Sequence, residues 1–210
     1  MRLLDLFCGR LGWSRAFAKR GWECYGIDLV EPPEIPERCI FWKMNILELH
    51  IYEGELWYHK EHYPLPDFIV ASSPCEQFSV HGMKHFHPNP PYPELGIKLF
   101  NHTRELCEAS GRPYVMENVK FAQGFVGHAK AHCGSFYLWG NSVPALIPRN
   151  IFKAKWTMQK DRLGNTTPLV WGSKKIRAAE FATIPIELAN CVCSYAEALI
   201  FQSERSTIVT

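Results

Sequence analysis

Five short apolar runs punctuate the first 120 residues: LLDLFC (3–8), CYGIDL (24–29), CIFWKMNI (39–46), DFIVASS (67–73) and YVMENV (114–119). Their length and their polar or glycine-bearing ends predict β-strands. Between them the pattern changes period. WSRAFAKRG (13–21) has helical spacing and a closing glycine, and LGIKLFNHTRELCEASG (95–111) is a longer helix stopped at Gly111. EPPEIPE (31–37) is a turn-rich linker. Strands alternating with helices predict an α/β fold with a doubly wound, mostly parallel sheet. After the strand of SFYLWG, residues 140–175 carry no long periodic segment. The chain then closes on IPIELANCVCSYAEALIFQ (184–202), an amphipathic helix opened by Pro185. These shifts predict an α/β core over 1–139, a small segment over 140–180 and a C-terminal helix over 181–210 that returns to the core.

Composition narrows the class. The chain has 210 residues, 47% apolar and 21% charged, enough for one domain with a sizeable core. No run of about 20 apolar residues is present, so no membrane span is expected. The opening MRLLDLFCG lacks the features of a secretory signal, which predicts a cytoplasmic protein with its eight cysteines reduced. Their spacing suits no zinc ribbon or finger. His81, His85 and His87 cluster, but a Pro-rich loop explains them better than a metal site, and no metal is expected. Net charge is only +2, yet Arg149, Lys153, Lys155, Lys160, Arg162, Lys174, Lys175 and Arg177 face a single acid, Asp161, within 149–177. Such a segment is either a solvated basic face or a phosphate-binding one.

Candidate chemistry gathers at strand ends, where open α/β sheets bind ligands. DLFCGRLGWS (5–14) takes the first strand through a glycine-bearing turn into a helix. Asp28 closes the second strand, where an acid can accept from ribose hydroxyls or cap a helix. SSPCEQFS (72–79) puts a thiol directly after a proline at a strand end, as a buried cysteine or as a nucleophile. YVMENV ends in Glu-Asn, and a carboxyl at such an edge can hold a proton if buried.

Together and in this order these stretches resemble the cytosine carbon-5 DNA methyltransferase family, in a compact, phage-like form. DLFCGRLG matches that family's DLFCGxGG, SPCEQFS its PPCQxFS, and Glu117-Asn118-Val119 its ENV. The resemblance is strong over residues 1–120. It implies a methyltransferase of the Rossmann-like type with a minimal target-recognition segment. S-adenosylmethionine would be the methyl donor and DNA with a cytosine target the partner, the target base being flipped out of the duplex. Cys75 would be the nucleophile and Glu117 would hold and protonate the base. Asp5, Phe7, Gly9, Gly12, Asp28, Asn45 and Asn190 would bind the donor. Pro74, Ser79 and Asn118 would border the base, with Arg149, Lys174 and Lys175 gripping the nucleic acid. The loop VHGMKHFHPNPPYPE (80–94) would close over DNA. A monomer in the cytoplasm of a bacterium or phage-infected host is expected.

The match has departures. Glu76 stands where the family has Gln, Ser73 where it has proline, Leu11 where it has glycine, and Asn45 where it has Asp. The family's Gln-Arg-x-Arg element lacks a clear counterpart, Arg149 being the nearest basic candidate. Its last signature, GNSVP, appears literally at 140–144, but that would leave about 65 residues after it. Ala189-Asn190-Cys191-Val192, at the start of the last helix, is the better placed version. The same fold acting on RNA, using a modified sulfonium donor, or binding nucleic acid without turnover stays open. Cys75 and Glu117 together argue against the last, because the fold needs neither.

Overall fold

The computed structural model describes residues 1–82, 93–147, 159–160, 166–167 and 183–208. Its centre is a seven-stranded sheet in the order β3-β2-β1-β7-β8-β10-β9. The strands are β1 (Arg2–Leu6), β2 (Glu23–Asp28), β3 (Cys39–Lys43), β7 (Phe68–Ser72), β8 (Tyr114–Asn118), β9 (Ala131–Cys133) and β10 (Phe136–Trp139). β3, β2, β1, β7 and β8 pair in parallel, and β10 is inserted antiparallel between β8 and β9. The chain winds outward from β1 in both directions, so the crevice lies between the carboxyl ends of β1 and β7.

The period of two along each strand builds two cores. Leu4, Leu6, Ile69, Ala71 and Met116 face one side with Phe78 and Phe100. That side is covered by α2 (Glu76–Gly82) and α3 (Glu94–Ala109), while α4 (Gln123–Val126) packs beside α3. Leu3, Phe68, Val70 and Val115 face the other, with Trp13, Phe17, Leu188 and Val192. There α1 (Gly12–Lys19) packs against the last helix, α5 (Ile186–Ile208). Arg20 pairs with Glu197 of α5, and the Trp22 indole donates to the same carboxylate at 3.2 Å. The C-terminal helix thus returns to the core. Burial of both faces explains why LLDL and FIVA read as nearly unbroken apolar runs.

One element departs from the strand–helix alternation. The crossover from β3 to β7 is an antiparallel meander, β4 (Leu49–Tyr52), β5 (Glu55–Tyr58) and β6 (Glu61–Pro64). Leu49, Leu56 and Leu65 seat it on the core. Tyr25, Trp42 and Tyr63 stack in series, at 4.9 and 4.5 Å between ring centroids, and tie it to the sheet edge. Of the 140–180 segment, residues 140–147 are described together with a two-stranded pair, β11 (Gln159–Lys160) with β12 (Thr166–Thr167). Arg149, Lys174, Lys175, His85 and His87 lie outside the described residues.

The substitution of Leu11 for glycine has a structural answer. Leu11 adopts a left-handed conformation (φ 58°) and is fully buried. Its side chain fills the space over Gly26, where a Cβ would meet Leu11 Cδ2 at 2.6 Å and Cys8 Sγ at 3.0 Å. The side chain is therefore spent inside the core. Gly26→Ala is expected to destabilise the protein by about 1–3 kcal/mol through overpacking. Leu11→Ala should cost about 2–5 kcal/mol as a cavity. Urea denaturation of the double variant should return less than the sum of the two losses; strict additivity would show that the residues do not share this space.

Candidate active site

The β1 side of the crevice is built on an abrupt exit from that strand. Phe7 (φ 57°), Gly9 (φ 50°) and Leu11 are all left-handed, alternating with ordinary residues. An aromatic residue in that region is strained by roughly 1–3 kcal/mol, which persists only where surrounding structure enforces it. Asp28, at the end of β2, enforces the turn: its Oδ2 accepts from Gly9 N at 3.0 Å and its Oδ1 from Val30 N at 3.2 Å. Each oxygen keeps a lone pair for a further donor. Gly9 is exposed, and the nearest atom to a Cβ there would be Phe7 O at 4.0 Å, so the turn leaves open space above it. Leu29 and Val30, exposed at 60% and 72%, add an apolar lip beside Asp28. Sequence reasoning passed over them because two apolar residues before a linker carry no pattern.

Asp5 is wholly buried. Its Oδ2 accepts from Ser14 N at 3.2 Å and Ser14 Oγ at 2.6 Å, while Oδ1 has no partner among the described residues. Burial pushes its carboxyl up to about 7, against the pull of the Ser14 hydrogen bonds. The open glycine, the outward-facing Asp28 and this orphaned buried oxygen fit a polar nucleoside-like group with hydroxyls. The remaining predicted donor residues are placed differently. Gly12 begins α1 and is buried, and a Cβ there would meet Ile184 N at 3.0 Å, so it serves the packing of the segment before α5. Asn45 caps a short 3-10 turn: its Oδ1 accepts from Leu47 N and its Nδ2 donates to Glu48 Oε1. Asn190 is exposed on α5.

The thiol end is built on β7 and β8. Their parallel register sets Ser72 beside Glu117, and Cys75 follows three residues later, immediately before α2. Asn118 joins the two strand ends. Its Nδ2 donates to Ser73 O at 2.9 Å and Ser73 Oγ at 3.0 Å, and its Oδ1 accepts from Val119 N at 2.8 Å. Ser73 in place of proline thus supplies a hydroxyl that Asn118 uses. Ser79 N donates to Cys75 O at 2.8 Å. Pro74, Cys75 and Ser79 are half-buried, and Glu76 is exposed. Gln77 Oε1 accepts from Gly96 N at 2.7 Å and fastens α2 to the first turn of α3.

Electrostatics set the protonation states. Glu117 is buried, and burial raises its carboxyl to about 8, with a hydrogen bond from the Ser72 hydroxyl pulling the other way. Ser72 Oγ in turn accepts from the Trp13 indole at 3.0 Å. A line of hydrogen bonds therefore runs from α1 to Glu117. Cys75 is pushed up to about 11, first by burial, then by Glu117 and Glu76, with a hydrogen bond to the Ser79 side chain opposing them. At neutral pH the free site holds a protonated acid beside a protonated thiol. A buried acid that holds a proton next to a thiol can deliver a nucleophile and a proton to one bound group.

The other literal motif serves packing. Gly140 (φ 129°) leaves no room for a Cβ, which would lie 2.3 Å from Tyr114 O. Asn141 Oδ1 accepts from Tyr114 N at 2.8 Å, its Nδ2 donates to Arg112 O at 3.1 Å, and Ser142 N donates to Tyr114 O. GNSVP at 140–144 is a turn that clamps the start of β8, at the opposite end from Glu117. Among the described residues no group of three or more His, Cys, Asp or Glu could hold a metal, and no helix is long and apolar enough to cross a membrane.

A doubly wound sheet with a thiol and a buried acid on adjacent strand ends defines an α/β protein with a two-part site at its switch point. Residues 1–134 match the model of the C-5 cytosine-specific DNA methylase family. The chain belongs to that family. No curated protein matches it. Among solved structures, a candidate DNA modification methyltransferase encoded within a prophage (E. coli) is 20% identical with a TM-score of 0.38, covering 58% of this chain and 33% of that one. The chain spans about a third of that protein's length.

Two outcomes test the electrostatics. Glu117 is protonated in the folded state up to about pH 8 but ionises near 4.5 when unfolded. Between those values the unfolded chain binds fewer protons, so this group lowers stability as pH rises through the window. Glu117→Gln should therefore be more stable than wild type at pH 8–9, by roughly 2–4 kcal/mol, with the gap closing toward pH 5; denaturation across pH measures it, and a gap independent of pH would contradict the buried-acid assignment. Separately, Cys75 should alkylate slowly at pH 7 and faster as pH approaches 11, with Glu76→Gln shifting that profile to lower pH. Peptide mass spectrometry of iodoacetamide-treated protein reads this directly.

Proposed function

We propose that the protein transfers a methyl group from S-adenosylmethionine to carbon 5 of cytosine in DNA. The observation that carries this reading is the placement of Cys75 and Glu117 at the carboxyl ends of neighbouring parallel strands, joined through Asn118. The family membership of residues 1–134 agrees with it.

In this reading Glu117 binds the flipped base at its ring nitrogen and exocyclic amine. Its raised acidity range supplies the proton that the ring nitrogen takes as charge develops there. Cys75 adds through sulfur to carbon 6, which makes carbon 5 nucleophilic. Its elevated thiol requires that the proton leave within the assembled complex, since little thiolate exists beforehand. Ser79 and Ser73 hold the loop that carries it. S-adenosylmethionine, when bound, supplies an electrophilic methyl group. Asp28, with lone pairs facing the open turn at Gly9, would take its ribose hydroxyls, and Leu29 with Val30 would cover its base. Asn45 contacts the adenine only if it releases Glu48. Loss of the carbon-5 proton then lets the sulfur–carbon bond break. Arg149, Lys174 and Lys175 would provide phosphate contacts from a recognition segment over 140–180, short enough to imply a brief or loose target sequence. The cytoplasm is the compartment this chemistry calls for.

Incubation with labelled S-adenosylmethionine and cytosine-rich duplex DNA should label the DNA, and Cys75→Ala should abolish the label. Duplex containing 5-fluorocytosine should trap a covalent complex through Cys75, because without the carbon-5 proton the thiol cannot leave. Salt-dependent DNA binding with neither label nor adduct would sink the proposal.

A further inference from the structure

The α1 side of the sheet carries a second pair of reactive groups, remote from Cys75. Cys24 in β2 and Cys39, the first residue of β3, are register partners on adjacent parallel strands. Their side chains consequently project from the same face. Neighbouring strands lie about 4.8 Å apart, which falls within the roughly 4.4–6.8 Å that a disulfide spans between Cα atoms. The two thiols are close enough that the ionisation of each depends on the other.

The pair is asymmetric. Cys24 is buried, with Sγ 3.6 Å from Ser14 O and 3.8 Å from Trp22 O. Cys39 is half-buried at the start of the edge strand. A cleft of about 730 Å³ reaches the chain neighbour Arg38 and is bordered also by Arg15, Lys19 and Glu37. The contact with Cys24 holds the Cys39 thiol below its ordinary range, against burial and Asp5 and with Arg15 assisting, and the same contact drives Cys24 upward. Of the eight cysteines, each of the other seven is shifted up. A half-buried thiol backed by a buried one on the neighbouring strand is the layout of a peroxide-reactive cysteine and its resolving partner.

We propose that Cys39 and Cys24 are an oxidative modification site, at which a peroxide oxidises Cys39 and Cys24 resolves it to a disulfide joining β2 to β3. In the first step the Cys39 sulfur attacks a peroxide oxygen. The O–O bond breaks, hydroxide leaves and takes a proton to become water, and Cys39 becomes a sulfenic acid. In the second the Cys24 sulfur attacks the sulfenic sulfur, the S–O bond breaks, and water departs with the Cys24 proton. Two thiols and one hydrogen peroxide give one disulfide and two waters. The cross-link closes a loop of about 15 residues, which constrains the unfolded chain.

Trypsin separates the partners into the peptides 21–38 and 39–43. After treatment of the full chain with hydrogen peroxide and alkylation of remaining thiols, these peptides should appear joined, two hydrogens lighter than their sum. Melting temperature should rise by a few degrees in treated wild type and not in treated Cys24→Ser. In Cys24→Ser the sulfenic acid should persist at Cys39 and be trapped by dimedone. Recovery of both peptides alkylated while other cysteines oxidise would overturn the proposal, as would a bond from Cys24 to Cys193. The wild-type measurement needs no variant to fold and no methyl transfer, so its outcome is independent of the catalytic reading.

Discussion

The amide of Asn118 is the interaction on which the site depends. It is fully buried, and it spans from the end of β8 to the Ser73 carbonyl and hydroxyl just before the Pro74-Cys75 turn. A loop leaving a parallel strand has no ladder partner to fix its direction. Here a side chain from the neighbouring strand fixes it, and that strand also carries Glu117. The thiol and the acid therefore cannot drift apart without breaking two buried hydrogen bonds, each costly to leave unmade. Gly140 and Asn141 secure the far end of the same strand, so β8 is pinned at both ends.

Burial then turns position into chemistry. Glu117 and Asp5 sit on the α1 side of the sheet, at the ends where strands give way to loops, and both are driven toward neutrality. Each lowers stability at neutral pH relative to an apolar neighbour, a trade found where a site needs a proton more than the fold needs the energy. Phe7 adds backbone strain at the same edge. The Trp13–Ser72–Glu117 line connects the helix that follows the donor turn to the acid that would face the base. The two halves of the crevice are mechanically one object.

Much of this was legible in the chain. The parallel strands announced themselves because both their faces are buried, which leaves long apolar runs. Cys75 and Glu117 stood out because polar residues at the ends of such runs need a reason. The meander was not legible. Its strands have four residues each, rich in Tyr, Trp, His and Glu, and are buried on one side only, so no window carries a period. The pairing of Leu11 with Gly26 was equally hidden, since a substitution and its compensation on different strands are joined only by packing. Ser73 and Asn118 illustrate the same point with polar atoms. The departures from the family pattern that looked like damage are, at Leu11 and Ser73, accommodated by named neighbours.

Glu76 is different, because no neighbour among the described residues offsets it. The residue after it, Gln77, holds α2 to Gly96, so the amide function that the resemblance leads one to expect beside the nucleophile is present one position later and committed to packing. Glu76 itself is exposed, at the head of α2, and its charge opposes ionisation of Cys75. It would also oppose an approaching phosphate backbone. Both effects weaken when the carboxylate is neutralised or turned away. Glu76 thus adds, after burial and Glu117, to what holds the Cys75 thiol protonated in the free protein.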